Sequence, residues 1–405
     1  MPGYGARYWA ERTAHSRRTR YPPLVGEHTA DVVVIGGGLT GTTAAYVLAR
    51  GGLKVILLEG DRLAGGGTSA GLGTIVPEAA LSFRPIEASL GGSQARRAWE
   101  AARGSALDMA AALRRLKVRC DLEPAPLVIS ASSAEAAGVL RREQVARKAR
   151  GMDAAWITAR AAGPVLGSEV AGALKVRDAF VFDPVRAALG MARAAESAGV
   201  SIHEKAVVRR TSHTRNAVEI LLAKARVSAR GVFVATDAPG PLFRPLLRHV
   251  RLLDAYAVVT QPLSPAMKRE TGRHDCTVLE SGESPRWLRW LDDGRALFAG
   301  AAGPATSARS LDRTLIQRTG QLMYELSLRH PVMSGLPARW SWPIRLTTAP
   351  DGLPWIGTHR NYPFHYFALA LGWHGDGLAW FAAKSALRHF TNRPARGDDA
   401  FGFGR

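Results

Sequence analysis

Residues 30–60 read ADVVVIGGGLTGTTAAYVLARGGLKVILLEG, and this stretch decides the fold. Residues 32–35 form a continuous β-branched run, which is typical of a parallel strand covered on both faces. The alanine-rich segment 39–50 predicts a helix that ends at Gly51, and residues 55–58 predict a second strand. The stretch therefore predicts a strand–helix–strand unit of an α/β fold.

Three glycines lie between the first strand and the helix in the spacing of a dinucleotide site. Gly36 permits the tight turn, Gly38 lets the backbone approach a pyrophosphate, and Gly41 lets the helix pack against the strand. The helix N-terminus then faces the phosphates, and Glu59, at the end of the second strand, accepts hydrogen bonds from ribose hydroxyls. Because an acid at this position disfavours a 2′-phosphate, FAD or NAD is preferred over NADP.

Length and composition limit the class of protein. A chain of 405 residues predicts two domains, and 46% hydrophobic with 22% charged residues is ordinary for a folded soluble protein. No apolar run has the length of a membrane span, and the N-terminus lacks the apolar region of a secretory signal. Two cysteines, Cys120 and Cys276, cannot form a disulfide framework, so we expect a cytoplasmic protein.

The net charge of +20 raises the question of a polyanionic partner. The arginines are scattered along the chain, and we attribute their number to coding bias. Only residues 141–150, RREQVARKAR, concentrate charge on one predicted helix, which we interpret as a solvated face. We therefore expect no nucleic-acid partner, although the charge keeps tRNA open as an alternative.

The rest of the chain mixes helices and strands. Helices are predicted at 94–116, 134–151 and 313–327, with another starting near Asp183 and Pro184. Strands are predicted in 208–236 and 250–300, with a hairpin turn at DDGR, 292–295. The small-residue segment 64–73 carries no signal for a helix or a strand, and the C-terminal block predicts a strand, a glycine-rich turn and a last helix.

Several further blocks, in order, resemble the FAD-dependent D-amino-acid oxidase superfamily, in the branch with glycine oxidase, sarcosine oxidase and γ-glutamylputrescine oxidase. They are YPPL (21–24), GGGTSAGLG (65–73), FVFDPVRAALGMARAAESAGVSIHE (180–204), GVFVATDA (231–238), YAVVTQPL (256–263), WLDDGRALFAG (290–300), LTTAPDGLPWIG (346–357) and GWHGDGLAW (372–380). The resemblance implies an α/β fold with a discontinuous Rossmann-like FAD-binding domain at 1–90, 173–242 and 338–405. A mixed-sheet substrate domain would then cover 91–172 and 243–337.

The resemblance also implies the cofactor and its contacts. FAD is expected, and it is expected to be noncovalent, because the positions at which relatives attach flavin hold no cysteine or histidine here. The glycine motif and the matched blocks together predict these FAD contacts: Gly36, Gly38, Leu39, Thr40, Gly41, Glu59, Gly60, Arg62, Gly67, Thr68, Ser69, Val207, Ala235, Thr236, Gly372, Gly375, Gly377 and Leu378.

Four side chains are candidates for positions near the flavin ring, where they would affect substrate binding or the reactivity of the flavin. Arg345 resembles the arginine that binds the substrate carboxylate in glycine oxidase, although a surface arginine is the alternative. His374 is predicted to orient substrate or flavin, with a structural histidine as the alternative. Asp376 is interpreted as the N-cap of the last helix. Phe298 stands where sarcosine oxidase has its oxygen-activating lysine, which favours slow reaction with oxygen.

The predicted function is oxidation of a C–N bond in a small amine or an N-substituted or free amino acid, giving an imine that hydrolyses. FAD performs the redox chemistry, and oxygen or a quinone or carrier accepts the electrons. The alternatives are an NAD-linked Rossmann dehydrogenase, a flavin enzyme acting on a modified base of tRNA, and a flavoprotein without catalytic activity. Flavin colour, salt-dependent tRNA binding and flavin bleaching by amines separate them.

Overall fold

The computed structural model describes residues 3–13 and 19–405. Within them, the α-helices α1 to α11 span Tyr8–Arg12, Leu39–Arg50, Gly67–Ala70, Phe83–Leu90, Gly92–Arg115, Ala134–Ala149, Ala159–Leu166, Pro184–Ser197, Pro265–Glu270, Leu311–Arg329 and Gly375–Phe390. Short 3₁₀ helices lie at Pro241–His249, Pro331–Met333 and Gly372–His374. None of the helices in these ranges is long and apolar enough to cross a membrane.

The strands of the same residues, β1 to β20, span Gly3–Tyr4, Gly26–Ile35, Val55–Leu58, Thr74–Ile75, Glu123–Pro124, Leu127–Ala131, Ala155–Thr158, Gly172–Val176, Phe180–Val181, Ser201–His203, Arg210–His213, Val218–Leu221, Ala225–Asp237, Arg251–Thr260, Thr277–Glu280, Arg286–Trp290, Ala296–Pro304, Ala338–Thr348, Trp355–His359 and Tyr362–Leu369. They form two large sheets and a small one made of β4, β9 and β5. This confirms the predicted α/β fold with a mixed second sheet.

The first large sheet is built around the strand–helix–strand unit. Its order is β10-β3-β2-β13-β12-β11, and β20 continues it beside the second half of β13. Strands β10, β3, β2, β13 and β20 are mutually parallel, so their carboxyl ends share one edge. Ligands of doubly wound sheets bind at that edge, which places the cofactor site beyond Ile35, Leu58 and Val234.

The second large sheet has the order β1-β18-β14-β17-β16-β15-β6-β8-β7. One face packs against α10, in a cluster that includes Tyr256, Leu288 and Phe298. The other face belongs to the main core together with residues of the cofactor domain. Trp342 of β18 marks this inner face, because its indole Nε1 donates to the Ala70 carbonyl at 3.0 Å.

Two expectations about local structure are wrong. Residues 64–73 contain the helical turn α3, although their glycines disfavour a helix. Contacts from elsewhere in the chain account for it, since Arg7 binds the Gly65 and Gly66 carbonyls and Leu39 N donates to Thr68 Oγ1 at 2.9 Å. The charged helix α6 is also not solely a solvated face, because Arg147 is buried with Glu143 and Gln144.

The predicted domain boundaries stay a prediction, and sheet membership refines two of them. β18 belongs to the nine-stranded sheet, so strand pairing assigns residues 338–348 to the substrate domain. The same holds for β8, which ends at Val176. We therefore propose that the cofactor domain resumes after residue 176 and again after residue 348.

Candidate active site

The glycine turn forms the floor of a cavity of about 420 Å³ at the carboxyl edge of the parallel strands. Gly36 has φ +109°, and a Cβ there would lie 2.5 Å from the Ala235 carbonyl oxygen, so only glycine fits. A Cβ at Gly41 would lie 1.8 Å from the Gly36 carbonyl oxygen. These two glycines let helix α2 start directly against the end of β2, with its first amides facing the cavity.

Glu59 lies at the cavity wall, held by two backbone amides. Its Oε2 accepts from Gly37 N at 2.6 Å and its Oε1 from Asp61 N at 2.8 Å. Each carboxylate oxygen keeps a further lone pair for a ribose hydroxyl. The turn, the helix terminus and this acid together fit a dinucleotide, which satisfies the requirements of FAD at this edge.

The structure brings most of the predicted cofactor residues together. Those that line the cavity are Gly36, Gly38, Leu39, Thr40, Glu59, Gly60, Gly67, Thr68, Val207, Ala235, Thr236, Gly372 and Gly375. They come from all three segments of the predicted cofactor domain, at 36–68, 207–236 and 372–375. Their contact with FAD remains a prediction.

Five predicted contacts lie behind the wall. Gly41 has the packing role described above, and a Cβ at Gly377 would meet the Val76 carbonyl oxygen at 2.7 Å. Leu378 is fully buried in the main core. The Arg62 guanidinium pairs with the buried Glu204 at 2.9 Å, and Ser69 Oγ accepts from Arg7 at 2.8 Å. These residues support the lining residues, and the structure does not place them on the cavity surface.

Arg345 contributes to the cavity wall but has an acidic partner. Its Nε donates to Asp254 Oδ1 at 2.6 Å, and Asp254 lies directly opposite on β14. Its neighbours Ile344 and Leu346 are buried on the inner face, so alternation along β18 turns Arg345 toward the other face. The side chain is 55% exposed, and its terminal Nη atoms have no partner within residues 3–13 and 19–405. The carboxylate role stays a prediction.

An aromatic group lies on the inner face beside the glycine-rich turn that precedes α11. The rings of Trp287 and Trp373 are 6.0 Å apart, and His374 lies 6.1 Å from Trp287. Both ring nitrogens of His374 and the indole nitrogen of Trp287 are buried without a hydrogen-bond partner among the described residues. Burial lowers the pKa of His374 to about 4, with a smaller contribution from Arg147. His374 is therefore neutral near pH 7.

Two interpretations of this region are wrong. Asp376 is not the N-cap of α11: the helix starts at Gly375, His374 holds the cap position, and no side-chain cap bond is formed among the described residues. Asp376 instead lines the cavity.

Phe298 lies on the face packed against α10, with the Arg329 guanidinium 5.2 Å from its ring, so it does not face the cofactor. Its identity therefore carries no information about oxygen.

Sequence reasoning missed the side chains that join the two sheets at residues 70–73. Arg289 Nη1 donates to the carbonyls of Leu72, Gly73 and Phe182 at 2.6 to 2.8 Å. Trp9 Nε1 donates to the Gly71 carbonyl at 2.9 Å, and the Arg289 guanidinium lies 4.8 Å from the Trp9 ring. The sequence did contain a signal for this contact, namely an arginine inside the apolar run WLRWL (287–291). A buried guanidinium needs several hydrogen-bond acceptors, so its neighbours in the fold had to supply them.

These features define an α/β protein with a parallel sheet and a mixed sheet, and with a cavity that fits a dinucleotide at the carboxyl edge of the parallel strands. A family model described as FAD dependent oxidoreductase, DAO, matches residues 31–387. The chain belongs to this family of FAD-binding enzymes. Membership of this family excludes the alternative of an NAD-linked Rossmann dehydrogenase.

The relatives and the solved structures agree with this assignment. The chain is 25% identical over 373 residues to the probable oxidoreductase OrdL of Haemophilus influenzae, covering 90% of this chain and 84% of that protein. It is 25% identical over 332 residues to the gamma-glutamylputrescine oxidoreductase of Escherichia coli, covering 81% and 76%. Glycine oxidase from Geobacillus kaustophilus has the same fold, with a TM-score of 0.77, 19% identity, and coverage of 93% and 99%.

We predict that FAD is released by acid precipitation. The described wall of the cavity holds no cysteine and no histidine, and Cys120 and Cys276 are buried elsewhere. Precipitation with trichloroacetic acid should therefore leave the yellow colour in the supernatant. Flavin that stays in the pellet, and that mass spectrometry finds on a tryptic peptide, would contradict this prediction.

Proposed function

We propose that this chain oxidises the C–N bond of a small amine or amino acid to an imine, which water then hydrolyses. The observation that carries the proposal is the aromatic group on the inner face, which places two indole rings and a neutral imidazole beside the end of the cavity formed by residues 371–376. Bound FAD would supply the chemistry by accepting two electrons from the substrate. The names of the relatives, a gamma-glutamylputrescine oxidoreductase and a glycine oxidase, support the same substrate class.

The residues of the inner face would bind and orient the substrate and exclude water. Trp373 lines the cavity and would offer its face to an amine-bearing carbon chain. Trp287 and His374 pack beside it, and their buried ring nitrogens have no hydrogen-bond partner among the described residues. His374 would act as a neutral hydrogen-bond donor and acceptor and would not carry an additional proton near pH 7, because burial lowers its pKa to about 4. The electron acceptor, oxygen or a quinone or carrier, remains open.

The test is anaerobic bleaching of the flavin by a panel of compounds. The panel contains primary amines, N-methyl amino acids, free amino acids and acylated diamines, each mixed with purified protein under argon. Loss of flavin absorbance with at least one compound, and detection of the aldehyde or oxo acid, is the expected result. If dithionite bleaches the flavin and no compound of the panel does, the proposal is wrong.

Arg345 decides between a carboxylate substrate and an uncharged amine. If its free Nη atoms bind a carboxylate, Arg345→Lys should raise KM for an amino acid, because lysine loses the planar pair of donors. A charged hydrogen bond of about 1.5–3 kcal/mol corresponds to roughly a 10- to 150-fold loss for Arg345→Ala. Decarboxylated analogues should be unaffected, because they never use the guanidinium.

Asp254 provides the matched control for this experiment. Asp254→Asn leaves Arg345 in place but removes its acidic partner, so it should lower KM for a carboxylate substrate or leave it unchanged. If both Arg345 variants keep the kcat/KM of the wild type, Arg345 is not the anchor. The indole rings of Trp287 and Trp373 then become the next residues to substitute.

A further inference from the structure

Asp376 is the second residue of α11, and its side chain faces the cavity that the glycine turn also lines. One carboxylate oxygen lies 3.8 Å from the position of a Cβ at Gly71, on the loop that Trp9 and Arg289 hold in place. The residue lies in the GWHGDGLAW block (372–380), one of the blocks that resemble the FAD-dependent superfamily. A carboxyl group is therefore part of the wall of the cavity in which FAD would bind.

This carboxyl group has no hydrogen bond and no ion pair within residues 3–13 and 19–405, and the residue is partly buried in the cavity wall. Asp237, the other aspartate of the same wall, provides the contrast. Asp237 Oδ1 accepts from Leu371 N at 2.8 Å, and this bond fixes the turn that leads to α11. The fold therefore holds Asp237 by a hydrogen bond, whereas Asp376 has only the favourable position of an acid in the first turn of α11.

We propose that Asp376 is the ionisable group that couples proton uptake to the reduction of bound FAD. As a carboxylic acid it would donate a hydrogen bond into the cavity, and as a carboxylate it would place negative charge beside the cofactor. A two-electron reduction that brings one proton to the cofactor would leave one additional negative charge in the cavity, and this charge would favour the protonated form of Asp376. The proposal requires only that the chain binds FAD, and it stands whether or not amines are the substrates.

The direction of the coupling follows from linkage. Burial raises the pKa of Asp376 to about 7, and Arg289 opposes this shift. Negative charge on reduced FAD would raise this pKa further. Below pH 7 the carboxyl is protonated in both redox states and contributes nothing. Above pH 7, and up to the higher pKa of the reduced state, each reduction takes up one additional proton through Asp376.

Other charged or titratable groups surround this position. Arg289 of β16 lies behind the loop, His374 precedes the helix, and Glu59, Asp237 and Arg345 line other parts of the wall. Burial lowers the pKa of His374 to about 4 and raises that of Asp237 to about 6. Asp237 is therefore the group whose contribution the experiment has to separate from that of Asp376.

The experiment is a measurement of the reduction potential of the FAD-loaded protein against pH, from pH 5.5 to 9.5, with redox dyes. In the wild type at a fixed potential, the ratio of reduced to oxidised FAD should fall more steeply with pH above about pH 7 than below it, by one additional factor of ten per pH unit. This steeper segment of the curve is the contribution of Asp376. Asp376→Asn should remove this segment, because an amide does not titrate. Asp237→Asn should retain it. FAD content, measured after acid release, establishes that each variant is loaded.

A second measurement uses the wild type alone, in case Asp376→Asn does not retain FAD. Photoreduction in unbuffered solution with a pH indicator counts the protons taken up for each two electrons. The number of protons taken up for each two electrons should be higher at about pH 8 than below pH 7. A count and a slope that do not change across this interval would overturn the proposal. So would a segment that persists in Asp376→Asn and disappears in Asp237→Asn.

Discussion

Replacing Gly38 with valine is expected to give a folded protein that is purified without FAD. Gly38 has φ −76° and ψ −174°, an extended conformation that valine adopts readily. The nearest atom to an added Cβ is Thr68 Oγ1 at 3.0 Å, which has only to shift slightly. The two methyl groups, however, would extend from the cavity floor where a pyrophosphate has to approach the backbone.

The expected loss of FAD affinity is at least about 100-fold, which corresponds to about 2.7 kcal/mol. Flavin content per chain after gel filtration measures it, and far-ultraviolet circular dichroism checks the fold. Gly320→Ala, in the middle of α10, is the matched control, because nothing lies within 4 Å of its added Cβ. That variant should keep its flavin and be slightly more stable. Full flavin content in the Gly38 variant would show that FAD does not use this turn.

Strong local signals in the sequence predicted elements of both large sheets and the helices beside them. Helix α2 and strand β3 have the predicted bounds, because Gly51 ends the helix and a continuous apolar run forms the strand. Asp183 caps α8 by accepting from Arg186 N at 2.9 Å, as an aspartate before a proline predicts. The DDGR turn joins β16 to β17, with Leu291 N donating to the Arg295 carbonyl. In each case neighbouring residues contain the whole cause.

Side chains near the flavin ring were harder to predict, since their direction depends on strand register. A strand alternates sides at every residue, so an alignment that is wrong by one position moves a side chain to the other face. Phe298 shows this effect: it packs against α10, while Leu297 and Ala299 lie in the main core. Arg345 is turned in the same way relative to Leu346. The family resemblance identified the strands but could not determine which face of the sheet each side chain occupies.

The buried charges of α6 escaped prediction for a different reason. Arg147 sits in a sequence of charged residues, and only long-range packing reveals that it is buried. Its Nη atoms donate to both carboxylate oxygens of Glu78 at 2.9 and 2.7 Å, and its Nε donates to Glu143 at 2.8 Å. Glu78 lies 69 residues away in the chain, so no local pattern connects the two side chains.

Substituting methionine for Arg147 is expected to destabilise the protein strongly. The guanidinium is 1% exposed, and its removal would leave the carboxylates of Glu78 and Glu143 buried without a cation. Breaking a buried pair in this way costs about 3–5 kcal/mol, whereas the exposed pair of Arg96 and Glu100 contributes about 0.3–0.5 kcal/mol. Thermal unfolding of Arg147→Met should show a large fall in the midpoint, and Arg96→Ala, the matched control, should show almost none.

The pH dependence of this loss distinguishes a charge effect from a packing effect. Burial already raises the pKa of Glu78 against the opposing influence of Arg147, so removing Arg147 should raise it further. An acid whose pKa is higher in the folded state binds more protons there, and stability then falls as the pH rises above the unfolded value. Arg147→Met should therefore lose more stability at pH 8 than at pH 5. An equal loss at both pH values would mean that methionine packs badly and that the uncompensated carboxylates are not the cause.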